Sequence, residues 1–98
     1  MRFFPSFLEN ESVFHVVVRY VGPAENAAKF KYNVEFVNKD DTEGVSLMYL
    51  TRSADENLRD VYRSGSCGKL HYDVVSRLRD GEGYLNFKVQ IIKVVTDL

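Results

Sequence analysis

Apolar and polar residues alternate with a period of two along much of the chain. In 13–21, VFHVVVRYV, the residues Phe14, Val16, Val18 and Tyr20 fall on one side, which predicts a strand with a buried face. The other side carries Val13, His15, Val17, Arg19 and Val21 and is partly apolar too. The run 29–37, KFKYNVEFV, alternates more cleanly. Phe30, Tyr32, Val34 and Phe36 point one way and Lys29, Lys31, Asn33 and Glu35 the other, which predicts one wet face. The polar stretch 38–44 reads as a turn, and 45–50, VSLMYL, as the returning strand of a hairpin. In 84–91 the residues Leu85, Phe87, Val89 and Ile91 are expected inward. Ile92 and Val94 then take the opposite face, a slip that a bulge or an interface would explain.

Between these strands the period lengthens. Ser53 with Glu56 three places on has capping-box spacing, and Leu58, Val61 and Tyr62 follow at helical intervals. Residues 69–72, KLHY, fit a short strand, and Asp73 is placed to cap one or two turns holding Val74, Val75 and Leu78. Residues 80–83, Asp-Gly-Glu-Gly, form a turn. The pattern predicts a mostly-β, antiparallel sandwich with one or two short helices. It holds about four good strands, with 2–8 as a weak fifth, where a complete sandwich usually has about seven. The expected organisation is a single domain over 1–98, with 1–12 a weak first strand or arm and 13–98 the core. The sheet is then incomplete, or completed by a partner.

Composition narrows the function classes. Ninety-eight residues make one small domain that hides roughly 60–70% of its unfolded surface. Thirteen basic against 14 acidic residues give a net charge of −1, without the basic excess of a nucleic-acid domain. A single cysteine, Cys67, excludes an internal disulfide, and with only His15 and His71 beside it a four-ligand zinc site is out of reach. No cofactor or metal is expected. The apolar start is broken by Pro5, Glu9 and Glu11, and no run approaches the roughly 18 apolar residues of a membrane span. The expected setting is intracellular, cytoplasm or nucleus, with no membrane partner.

Candidate chemistry is sparse. Cys67 and His71 do not face one another in a strand as they would on a helix, so a buried small residue is the plainer reading of Cys67. His15 among valines reads as a core or interface histidine. Asp40, Asp41 and Glu43 lack the alternating ligands of an EF-hand loop and read as a solvated tip. Arg52, Arg59 and Arg63, interleaved with Asp55, Glu56 and Asp60, read as a wet helix face. The aromatics stand out: seven Phe and six Tyr are many for so thin a core. Phe3, Phe4 and Phe7 are expected to meet another chain, together with the face Val13, His15, Val17 and Arg19 and its extension at Ile92 and Val94.

The order of elements resembles the C-terminal part of the TRAF-like, substrate-binding domain of the seven-in-absentia (Sina/Siah) ubiquitin ligases. Residues 14–22, FHVVVRYVG, are similar to that family's F-x-x-x-V-x-x-x-G strand, and 27–38, AAKFKYNVEFVN, to its next strand. Thr51-Arg52-Ser53 before a short helix resembles its T-P-R-S segment with one deletion. Cys67–Tyr72, CGKLHY, resembles D-C-L-x-F, and GEGYLNFKVQI from Gly81 resembles N-G-N-L-x-I-x-V-x-I. The resemblance covers about 14–94 and implies a TRAF-like sandwich that works by protein interaction: homodimerisation, heterodimerisation or substrate docking. It implies no catalysis here, because the family's RING and zinc-finger cysteines are absent from these residues. Family partner peptides with a Val-x-Pro core add near early strands that here are missing or reduced to 1–8. The other settings left open are an adaptor that kept only the sandwich, and a small ligand-binding β-domain using Cys67, His71 and Asp73.

Overall fold

A computed structural model describes residues 2–94; Met1 and 95–98 of the expected domain span lie outside the described residues. Seven strands and two short helices follow in the order β1 (Arg2–Asn10), β2 (Val13–Val21), β3 (Phe30–Val37), β4 (Gly44–Leu50), β5 (Arg52–Ser53), α1 (Leu58–Arg63), β6 (Gly68–His71), α2 (Tyr72–Leu78) and β7 (Asn86–Lys93). A 3-10 segment, Ala24–Lys29, joins β2 to β3. The first sheet sets β1 against one edge of β2, while the other edge of β2 is shared by β6 and by a two-residue parallel pairing with β5. The second sheet has the order β4–β3–β7 and is antiparallel throughout. The short strand expected at 69–72 forms as β6, and the strand without a sequence signal is β5, whose two residues are too few to leave an alternating pattern.

The two alternating faces meet as the sequence pattern requires. Phe14, Val16 and Val18 of β2 pack on Tyr32, Val34 and Phe36 of β3, with Leu70, Val75 and Leu78 closing one flank. Each of these valines, with no exposed surface, contributes roughly 1.5–3 kcal/mol by its burial. The Tyr32 hydroxyl donates to the Val16 carbonyl at 3.2 Å, tying the layers together. Burial holds that phenol protonated far above its ordinary range, with Cys67 acting in the same sense. A second, smaller core lies on the opposite face of β2, where Val17 is covered by Val61, Tyr62, Cys67 and Leu58 around α1. That cover explains why both faces of β2 are apolar.

Four local expectations change. The weak arm is a full strand: all nine residues of β1 pair with β2 through the two-residue Glu11–Ser12 turn, Glu11 at φ 57°. In such a turn Asn10 and Val13 exchange both backbone hydrogen bonds, and every second pair along the ladder does the same. Pro5, opposite Val18, falls in a pair that does not. Its nitrogen therefore faces away from β2 and its missing N–H costs the ladder nothing. Of the capping box only one half forms, around a turn: Glu56 Oε2 accepts from the Ser53 N–H, while Ser53 Oγ accepts from the Asp55 N–H instead of that of Glu56, Ser53 being held in β5. The helix starts later, where Asn57 Oδ1 accepts from the N–H groups of Arg59 and Asp60. At α2 the cap is His71, whose Nδ1 accepts from the Asp73 N–H at 3.1 Å, rather than Asp73 itself. No bulge accompanies Ile92: β7 keeps one register against β3 through Lys93.

Candidate interaction surface

Among the described residues the strand order leaves β1 and β7 as edges of their sheets. Both lie on the same side of the sandwich. Phe7 of β1 meets Phe87 of β7 with ring centres 5.0 Å apart, and Phe3 meets Phe30, the partner of Lys93, at 5.3 Å. The contacts pair the end of β1 with the start of β7, so the two edges run antiparallel to each other. Between them the aromatic row is incompletely covered: Phe87 is 44% exposed, and a 170 Å³ apolar recess opens among Phe7, Phe14, Phe36 and Phe87. An ion pair from Arg79 to Glu9 and a 3.0 Å bond from Arg79 to the Gly83 carbonyl brace one end of this opening.

Backbone phase decides what each edge offers. On β1 the free groups belong to Phe3, Pro5, Phe7 and Glu9, and Pro5 removes one donor from the middle. On β7 the Val94 N–H donates to the Lys29 carbonyl at 2.8 Å, which fixes the alternation. Phe87, Val89, Ile91 and Lys93 then turn their N–H and C=O groups away from β3, an unbroken run of four donors and four acceptors.

The residues expected at an interface are not brought together. Phe3 and Phe7 face inward and pack on the main core, because their places in the β1 register lie opposite Tyr20 and Val16. Val17 has no exposed surface and is closed under α1. Val17 therefore serves the interior, a correction that follows from α1 being a lid, while Phe3 and Phe7 turn inward as half-buried members of the aromatic row between β1 and β7. Phe4, exposed and opposite Arg19, does face outward, with half-buried Val13, His15 and Arg19 on the same outer face. Ile92 and Val94 belong elsewhere, on the second sheet. Ile92 lies opposite Lys31, which lies opposite exposed Leu50, and the neighbouring Met48 is 55% exposed. Met48 and Leu50 escaped the sequence reading, although two apolar residues on the wet side of 45–50 were the signal.

Beside α1 the outer face of the first sheet forms an open cleft of about 630 Å³, lined by Leu8, His15, Leu58, Tyr62, Arg59 and Arg63 among others. The His15 ring rests on Tyr62, centres 5.4 Å apart, and its Nδ1 is shielded without a hydrogen-bond partner. Burial, helped by the Lys69 charge, pushes its pKa below the usual histidine value. Cys67 is buried in the α1 core, where loss of solvent pushes its thiol pKa up, away from a reactive thiolate. His71 and Asp73 stand exposed at the start of α2. Glu43 is committed to Arg77 by two 2.9 Å bonds, and that pairing lowers its pKa. Among the described residues no group of three or more His, Cys, Asp and Glu lies close enough to hold a metal ion. Among the described residues no helix is long and apolar enough to cross a membrane.

Two layers of strands with short helices inserted after β5 and β6, and two neighbouring edges left open among the described residues, define a mostly antiparallel β-sandwich. The chain matches the family model described as Sina, TRAF-like domain over residues 3–90, and it belongs to that family. The match begins at Phe3, so β1 lies within the matched family domain. No curated protein and no solved structure matches the chain.

Proposed function

We propose that this chain is a docking module that takes up a protein partner along its open side, by strand addition backed by apolar side-chain contact. The observation that carries the reading is the pair of unpaired strand edges, β1 and β7, lying side by side over a partly uncovered aromatic row. Backbone pairing at such an edge supplies register, and burial of Phe87 and its neighbours supplies most of the energy. No catalytic step is assigned to these residues, a reading supported by the enclosure of Cys67 and by the capping duty of His71. The same docking suits the substrate-recognition half of a ubiquitin ligase or an adaptor.

Site-specific photo-crosslinking in cells tests this. A crosslinker replacing Lys88 on β7 is expected to give discrete protein adducts, and one replacing exposed Ser46 on β4, at the opposite edge of the same sheet, to give none. Equal adducts at both positions, or none at Lys88, contradict the proposal.

A further inference from the structure

The charges around α1 do not form one evenly paired surface. On one flank Arg52 and Glu56 hold each other in an ion pair, and Asp60 lines a recess with them. On the other flank Arg59 and Arg63 line the open cleft of about 630 Å³ and have no ion-pair partner among the described residues. Glu9, the acid among the residues lining this cleft, is committed to Arg79. Lys69, opposite His15 in the β2–β6 ladder, adds an exposed positive charge on the same outer face. The cleft is therefore cationic in a chain whose net charge is −1. Its floor is apolar: Leu8 is 40% exposed, and the His15 ring rests on Tyr62. The depressed pKa of His15 keeps that ring uncharged at neutral pH.

We propose that this cleft binds an extended acidic segment of a protein partner, with two carboxylates in an acid–x–acid spacing set against Arg59 and Arg63 and an apolar side chain seated over Leu8, His15 and Tyr62. The site lies on the outer face of the first sheet, away from β7, and does not rest on docking at the strand edges. Spacing supports the match. Arg59 and Arg63 stand one helical turn apart, about 6 Å between their Cβ atoms. Alternate residues of an extended chain are separated by about 6.5 Å and point the same way. Each guanidinium can take a carboxylate through two parallel hydrogen bonds, which a lysine cannot do. The intervening side chain of the segment then turns toward the opposite wall, where Leu8 is open. A short peptide suits this site better than a nucleic acid, whose backbone needs a longer cationic track.

Nuclear magnetic resonance titration of the whole isotope-labelled chain with a terminally blocked peptide, GSDLDFSG, tests the proposal. Saturable shifts are expected at the amides of Leu8, Asn10 and His15 and along α1. Arg59→Gln and Arg63→Gln are each expected to weaken binding about fivefold, and together more than about tenfold, with the circular dichroism unchanged. Arg77→Gln on α2, which removes an arginine already paired with Glu43, is expected to leave the affinity as it was. Two further peptides keep the test valid if an arginine variant does not fold. GSNLNFSG, without the carboxylates, is expected not to bind, and GSDDLFSG, with the acids adjacent, to bind about fivefold more weakly. No saturable shift up to about 1 mM GSDLDFSG overturns the proposal. So do shifts confined to β7, equal binding of the three peptides, an affinity that both folded arginine variants leave intact, or tighter binding of a single-stranded oligonucleotide than of GSDLDFSG.

Discussion

Replacing Val17 separates a buried role from a surface role. Its side chain has no exposed surface and is enclosed by Val61, Tyr62 and Cys67, between β2 and α1. Val17→Ala removes two carbon groups, each contributing about 0.8 kcal/mol, and leaves a small cavity. The expected loss is about 2 kcal/mol. In a domain of this size that lowers the melting temperature by roughly 8–16 °C. Val17→Asp is harsher, because a carboxylate with no partner is confined in an apolar pocket at a cost of several kcal/mol. Against a typical total stability of about 5–15 kcal/mol that change unfolds much of the population. Thermal and urea melts followed by circular dichroism read both variants. A folded Val17→Asp protein melting within a few degrees of wild type would mean that Val17 faces solvent and that α1 does not cover β2.

Three further changes probe the frame around the open side. Tyr32→Phe deletes the buried hydroxyl that bonds the Val16 carbonyl and is expected to cost about 1 kcal/mol in urea melts; no measurable loss would remove that bond from the link between the layers. Asn57→Ala strips the α1 cap and is expected to cost about 1 kcal/mol, whereas Ser53→Ala leaves the helix start untouched; the reverse order would place the helix start at Ser53. His15 has its pKa lowered on folding, so the unfolded chain takes up its proton first as pH falls. Stability is therefore expected to decline as pH drops through about 6.5, the unfolded value, and to level off below the folded one. His15→Gln flattens that part of the curve in melts from pH 8 to pH 5, and an unchanged slope contradicts the assignment.

The alternation of β2 and β3 was legible because each has a strictly apolar face whose residues, from Phe14 to Phe36, meet across the core. β1 was obscured for two reasons: it is apolar on both faces, and Pro5 reads as a strand breaker until the hairpin phase shows its nitrogen pointing outward. Local signals misplaced the start of α1, because Ser53 and Glu56 make capping contacts within a turn. The surface was the least legible part. Whether Phe7 or Phe87 meets solvent depends on which strands flank them, a matter of sheet order between residues far apart in sequence. Val17 looked like an exposed apolar residue because its cover, α1, lies about forty positions away in sequence, a separation that periodicity does not reach.

Residue-resolved amide hydrogen exchange of β7, in dilute chain and in the partner-engaged state, tests the open-edge docking most directly. In dilute chain the amides of Lys88, Gln90 and Ile92, bonded to β3, are expected to be protected, and those of Phe87, Val89, Ile91 and Lys93 to exchange freely. On engagement the second set is expected to gain protection at every other residue, the imprint of an added strand. Engagement that leaves those four amides exchanging as before would contradict docking at the β7 edge.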